Sequence, residues 1–293
     1  MNLLISFSGG ETSAYMTRWL LNNVEHQYDE IIVLFANTGQ ENEQTLEFVQ
    51  RCDDAFNFNV VWLEAVVVYG ERVACKHKVT NFKNANRDGE VFEKVINKYG
   101  IPNKAWPHCT RELKLNPIKS YIKSLGWTNY HTAIGIRSDE IDRMSAAAKK
   151  DGLIYPLVSK HPMTKPMINQ WWAGREFRLN LKGYQGNCKW CWKKSLRKHM
   201  TLMKESPEVY DFPKRMEKKH GLSGHNVDGN QRVFFRENMS TNDLFDLSKQ
   251  SFTPARDDAD VYPEPDLFDF DLDSADGCSE SCEIDFSDET KLD

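Results

Sequence analysis

Residues 7–16 read "FSGGETSAYM", two adjacent glycines between Ser8 and the hydroxyls of Thr12 and Ser13. The run before them, "NLLIS" (2–6), is apolar and strand-like. The run after, "SAYMTRWLL" (13–21), has the pattern of a helix. Glycine turns sharply at positive φ and lets a ligand approach where a Cβ would stand. A helix that begins directly after such a turn offers unpaired N–H groups and the positive end of its dipole. A strand, a glycine loop and a helix start together make an anion site, most often for phosphate. There is no lysine after the glycines, so the loop is not a G-x-x-x-x-G-K-[ST] loop, and it lacks the G-x-G-x-x-G spacing. The alternative is a plain tight turn with a Ser/Thr cap.

The pattern further along decides between these. Strands are expected at 2–7, 30–37, 59–65 and 130–136, and helices at 12–23, 41–56, 90–99, 111–125, 169–181 and 241–250. Alternating strands and helices over the first 136 residues predict a parallel α/β sheet with crossover helices. Ligands of such sheets bind at the carboxyl ends of the strands. The glycine loop, "FANTGQE" (35–41) and "GIRSDE" (135–140) all fall at that edge. Three polar clusters at one edge favour a built site over a plain turn.

The chain has 293 residues, enough for one large domain with an appendage, and 40% hydrophobic residues supply a core. No run of eighteen apolar residues predicts a membrane span. The chain enters a strand at once, with no signal-peptide pattern, so a cytoplasmic location is expected. The net charge of −5 hides a split. Residues 257–293 carry fifteen Asp and Glu and one Lys, which leaves the rest at +9. A basic body permits a polyanion such as RNA or DNA as partner. The acidic segment, with its prolines and no periodicity, is expected to be mostly disordered.

Seven cysteines with one C-x-x-C suggest reduced thiols rather than a disulfide frame. Cys188 and Cys191 in "GNCKWCWKK" can face one metal from a tight turn. Cys109, in "WPHCTRELK" at a helix start near Arg111 and Lys114, is expected to favour thiolate. Three thiolates can hold a [4Fe–4S] cluster with one iron open. Structural zinc, with Cys75 or a tail cysteine as fourth ligand, and a metal-free redox dithiol are the alternatives. Cys52 in a helical pattern reads as a small buried hydrophobe. Cys278 and Cys282 are incidental thiols or a relay for sulfur or electrons. Trp190 and Trp192, interleaved with Lys189, Lys193 and Lys194, either stack nucleobases or shield the metal site. His108 beside Cys109 reads as a surface residue.

Together these segments resemble the adenine nucleotide α-hydrolase superfamily, and within it the PAPS-reductase-like proteins of phage and bacterial type. Ser8, Gly9, Gly10 and Ser13 match the S-G-G-x-x-S pyrophosphatase (PP) loop. "FANTGQENEQTLEFV" (35–49) resembles the segment that lines the adenosine pocket, with Ala36, Asn37, Thr38 and Gly39. "GIRSDEIDRM" (135–144) resembles the G-x-R-x-D-E-x-x-R element, with Gly135, Arg137, Asp139, Glu140 and Arg143 in register. The likeness runs over about residues 3–250.

The resemblance implies a Rossmann-like HUP-type fold divided at 1–168 (PP-loop domain), 169–252 (helical C-x-x-C subregion) and 253–293 (acidic tail). It implies ATP or a PAPS-like adenine nucleotide held by Ser8, Gly9, Gly10, Thr12, Ser13, Ala36, Asn37, Thr38, Gly39, Gly135, Arg137 and Asp139, with Mg²⁺ bridging the phosphates. It further implies an acceptor adenylated at the α-phosphate and then attacked by sulfur from a cysteine-derived donor, with Cys109, Arg137, Cys188 and Cys191 as catalytic groups. The three cysteines resemble, in spacing order, the iron–sulfur set of PP-loop tRNA thiolases. An oligomer is compatible with all of this, and the expected location is bacterial or phage-infected cytoplasm.

Two departures open rival readings. Glu11-Thr12 stands where many members carry Lys-Asp or Lys-Thr, so Arg137 and Lys114 are expected to supply the lost charge. The same loss admits a nucleotide-binding accessory protein without turnover. "DGCSESCEID" (276–285) replaces the E-C-G-x-H ending of assimilatory PAPS reductases. A reductase would then need the tail thiols.

Overall fold

The computed structural model describes residues 1–257 and 259, apart from 71–72 and 225–228. The elements in order are β1 (Asn2–Ser6), α1 (Glu11–Asn23), β2 (Ile31–Asn37), α2 (Glu43–Phe56), β3 (Val61–Val66), β4 (Lys76–Thr80), α3 (Glu90–Tyr99), α4 (His108–Thr110), a π-helical turn (Arg111–Leu115), α5 (Asn116–Ser124), β5 (Tyr130–Ala133), β6 (Leu153–Ile154), α6 (Pro156–Ser159), α7 (Lys165–Ala173), α8 (Leu196–Glu205), α9 (Asp211–His220) and α10 (Thr241–Ser248). The strands form one sheet in the order β4-β3-β2-β1-β5-β6. Every pair is parallel except β3 with β4. This is the expected Rossmann-like α/β fold.

Residues alternate between the two faces of a strand. Leu3 and Ile5 of β1, Val33 and Phe35 of β2 and Trp62 of β3 point to one face, where they meet Met16 and Leu20 of α1, Phe48 and Val49 of α2, and Trp172 of α7. Leu4, Leu34, Ala36 and Leu63 point to the other, against Ile118 and Ile122 of α5. Covering both faces is what a parallel sheet requires, since its strands are apolar on both sides.

A second core lies away from the sheet. It joins Phe92, Val95 and Ile96 of α3 with Leu113, Trp190, Leu202, Tyr210, Met216, Phe234 and Leu244. It therefore draws on residues before position 168 as well as after it. α7 packs into the first core instead, through Ile168 and Trp172.

The chain beyond 252 still touches the body. Ala255 is buried, and its N–H donates to Thr201 Oγ1 at 2.8 Å. Gly183 N–H donates to Asp257 Oδ1 at 2.9 Å. Cys278, Cys282 and most of the acidic segment lie outside the described residues. Among the described residues, no helix is long and apolar enough to cross a membrane.

Several bounds differ from the expectation. The 130–136 run keeps only four residues in the ladder, β5, before turning into the site. The 169–181 helix lies earlier, at Lys165–Ala173, and ends at Gly174. The 111–125 helix starts at His108 and carries the π turn.

Candidate functional site

The registers Ser6↔Leu34 and Ile5↔Ala133 bring the carboxyl ends of β1, β2 and β5 to one edge. The glycine loop leaves β1 there. Gly9 sits at φ +83, and a Cβ on it would stand 2.8 Å from Thr45 Cγ2. Only glycine fits that position, because both the backbone angle and the packing exclude a side chain. Gly10 takes the N-cap of α1 with ordinary backbone angles and no side-chain cap. Ser13 Oγ ties the loop together, donating to Gly10 O at 3.0 Å and lying 2.9 Å from Ser8 Oγ.

Glu11 does not face a phosphate. It is buried, and its carboxylate accepts from Arg178 Nε at 3.0 Å, from Arg178 Nη2 at 3.1 Å and from Leu179 N–H at 3.1 Å. Trp172 Nε1 donates to the Glu11 carbonyl at 3.0 Å. The acid that replaces the expected lysine is thus an anchor for the segment after α7.

The loop after β5 crosses the start of α1. A Cβ on Gly135 would stand 3.1 Å from Ser13 Cα, so the glycine permits the close approach. Arg137 is buried and its Nη1 donates to Thr12 Oγ1 at 3.2 Å. Asp139 (3.0 Å) and Glu140 (3.3 Å) hold its guanidinium. Arg143 contacts the same Glu140 oxygen. The other Asp139 oxygen accepts from Lys165 N–H at the start of α7. The expected cation therefore stands at the helix start, oriented by two carboxylates.

Lys114, the second expected cation, lines a recess with Ser6, Ser8, Leu34, Ala36 and Ile118. The π turn that carries it inserts one residue into the helical register, a device frequent at functional sites. Ser8 and Ala36 thus share a cavity wall. Asn37, Thr38 and Gly39 are held from behind. Asn37 Nδ2 donates to Glu64 Oε1 (2.8 Å) and Asn86 O (2.9 Å). Thr38 Oγ1 donates to Glu41, and Gly39 at φ +80 abuts the Asn86 side chain.

A strap from the second core lies across this edge. Asn42 N–H donates to Asn187 O at 2.9 Å, Asn42 Nδ2 to Gly186 O at 2.7 Å, and Lys189 N–H to Gln40 O at 3.0 Å. Trp190 Nε1 donates to Gln40 Oε1, and Cys188 bridges Glu41 as in an antiparallel ladder. Asn187 Nδ2 reaches the Ser8 carbonyl of the glycine loop at 2.9 Å. Asn187 and Arg178 escaped the sequence reading. The position of Asn187 beside Gly186 and the C-x-x-C is the one available signal; for Arg178 there is none.

The Cys188 and Cys191 thiols are in hydrogen-bond contact, and that contact, followed by burial, holds Cys188 well above the usual thiol range. Cys109 accepts from Trp192 Nε1 at 3.4 Å. Among the described residues, no three His, Cys, Asp or Glu side chains are arranged to hold a metal ion. Cys75 is buried in the second core, where burial and then Glu112 push its thiol up to about 12. Cys52 is a fully buried core residue, as expected. Trp190 and Trp192 are 1% and 6% exposed, so they pack inside and present no face to a nucleobase. His108 is buried, not on the surface. Its Nε2 lies 3.0 Å from Gly100 O, and burial pushes its imidazole down to about 4.

No protein-family model matches the chain. It is 29% identical over 286 residues to an uncharacterised nin region protein, ORF290, of Escherichia phage lambda, covering 96% of this chain and 94% of that one. Two uncharacterised proteins of Methanocaldococcus jannaschii match shorter stretches. One is 30% identical over 118 residues, 40% of this chain and 22% of that protein. The other is 25% identical over 138 residues, 47% of this chain and 23% of that protein. Among solved structures, a phosphoadenylyl-sulfate (PAPS) reductase from Candida auris in complex with phosphate aligns with 61% of this chain and 75% of its own. The identity is 16% and the TM-score 0.36.

Proposed function

We propose that the chain is an adenine-nucleotide-dependent enzyme of the PP-loop type, acting at the α-phosphate of ATP or a related nucleotide. The observation that carries this reading is the meeting of Arg137 with Thr12 at the start of α1, at 3.2 Å, two residues past the Gly9–Gly10 turn. It sets a held cation beside a loop that carries no lysine of its own. Gly10 adds support: it leaves the start of α1 without a side-chain cap, where an anion would take that place.

The nucleotide would supply an activated phosphorus and a leaving pyrophosphate, with magnesium carried on its phosphates. The first N–H groups of α1 donate to the phosphate oxygens. Arg137, held by Asp139 and Glu140, neutralises charge that grows on them. Ser8, Ala36 and Lys114 line the recess that takes the nucleoside side. Asn37, braced by Glu64, fixes the β2 end of that wall.

Transfer of sulfur to an adenylated RNA or DNA base remains the reading for the acceptor, supported by the net charge of +9 on residues 1–256. Among the described residues no three His, Cys, Asp or Glu side chains are arranged to hold a metal ion, so no step is assigned to a cluster. The test is calorimetry with ATP and with PAPS, followed by an assay for AMP, pyrophosphate and sulfite over candidate acceptors. Arg137→Ala should weaken binding of the favoured nucleotide by about tenfold or more, in keeping with the loss of one charge-assisted contact. Gly10→Val should abolish binding with the fold retained. Wild-type affinity in both variants would sink the reading. Sulfite from PAPS would replace the thiolation reading with a reductase, and tight ATP binding without turnover would replace it with an accessory role.

A further inference from the structure

The C-x-x-C turn has no metal-ligating third partner among the described residues, yet its surroundings are built with care. Cys191 N–H closes the turn onto the Cys188 carbonyl at 3.4 Å, and Lys194 Nζ donates to the same carbonyl at 2.6 Å. Both thiols are reduced, and both residues are half-buried rather than sealed in the core. They touch each other across the turn.

The strap described above runs from just before Cys188 to Trp190. Gly186 and Asn187 are tied to Asn42, Cys188 is bridged to Glu41, and Lys189 and Trp190 are tied to Gln40. Asn187 also grips the Ser8 carbonyl. Any shift of Cys188 therefore acts on a neighbour that holds the glycine loop.

We propose that Cys188 and Cys191 form a reversible disulfide by exchange with a small-molecule disulfide, and that this bond loosens the glycine loop. A deprotonated thiol attacks the reagent disulfide and displaces one thiolate. The second protein thiol attacks the mixed disulfide, the Cys188–Cys191 bond forms, and the second reagent thiol leaves. The protein loses two electrons and two protons, and both end on the two released thiols. A disulfide holds its sulfurs about 2.05 Å apart, well inside hydrogen-bond range. Cys188 is drawn toward Cys191, and the Asn187–Ser8 bond next to it is strained. This inference rests on the nucleotide reading only for its effect on ligand affinity.

The experiment treats the full-length protein with glutathione disulfide and maps the thiols by peptide mass. A Cys188–Cys191 peptide lighter by two hydrogens is expected, with Cys109 still reduced. Hydrogen exchange of the amides at 8–14 and 40–45 should rise on oxidation and return with dithiothreitol. ATP affinity should fall about fivefold, the low end of ordinary coupling between sites. Cys191→Ser should lose the response to oxidant whatever its own starting affinity. Absence of the Cys188–Cys191 bond overturns the proposal, as does a crosslinked protein whose loop exchanges at the reduced rate. If the reduced protein binds no adenine nucleotide, the proposed function fails, while mass and exchange still decide this inference.

Discussion

Arg178 and Glu11 show how a single acid can change its duty without leaving the loop. The pair is mostly buried, with side-chain exposures of 25% and 6%. Removing one partner leaves the other charged and poorly solvated. Arg178→Ala should therefore destabilise the protein by about 2–3 kcal/mol, below the full value for a buried pair because Arg178 keeps some water. A urea midpoint measures this, and restoration by the added Glu11→Gln change would confirm that the orphaned charge is the cause. Gly9→Ala should cost about 3 kcal/mol, from the positive φ and the contact with Thr45 together. A midpoint within experimental error of wild type would show that the loop has another conformation available. The glycines and Arg137 were legible as neighbours at the strand ends, because a glycine turn and the G-x-R-x-D-E-x-x-R resemblance are local patterns, and the fold brings them together. Arg178 was not, since its partner lies 167 positions earlier and no spacing rule spans that distance.

Among the elements, several with a covered apolar face were readable, and three dominated by charge or by an open edge were not. β1, β2 and β3 stand out because both their faces are covered, and α3 because its apolar stripe is regular. β4 escaped notice because it is an edge strand whose Lys76, Lys78 and Val79 remain exposed, a composition that protects an open edge. α8 and α9 were missed because charge dominates them, and a few residues such as Leu202 and Met216 bear the burial. The π turn could not be foreseen: Arg111–Leu115 has an ordinary helical composition, and the inserted residue is a product of packing. α10 offers a clean test. Ser240 and Asp243 form a reciprocal capping box. Ser240→Ala should cost about 1 kcal/mol, seen as a lower urea midpoint with an unchanged slope. No change would mean that α10 is held by Leu244 and its neighbours alone.

At the scale of the molecule, the second core carries a sensitivity to acid. Burial holds His108 at about 4 and His199 at about 3, both below the ordinary histidine value. The unfolded chain takes up these protons near pH 6.5 and the folded one does not. Stability is therefore full above about pH 6.5 and is lost as the pH falls toward 4, by about 1.4 kcal/mol per pH unit for each histidine. Glu217, whose carboxyl burial raises, opposes this in part. His108→Gln keeps a donor for Gly100 O and should remove one histidine's share of the slope between pH 6.5 and 4.5. An unchanged slope would show that His108 protonates in the folded state. The acidic segment gives a second prediction. Deleting residues 260–293 should tighten binding of RNA or DNA to the basic body at low salt, with a smaller gain at high salt as the charges are screened. A Cys278→Ser, Cys282→Ser variant with its acids intact is the control for lost thiols, and unchanged affinity at low salt would dismiss a role for the charge. The bond from Asn187 to Ser8 has one more consequence, in time. In order of synthesis the glycine loop comes well before Asn187, a brace that lies 179 positions later. A nascent chain halted at residue 168 would have made its loop, its sheet and Arg137 and still lack the clasp, so the loop is made long before it is finished.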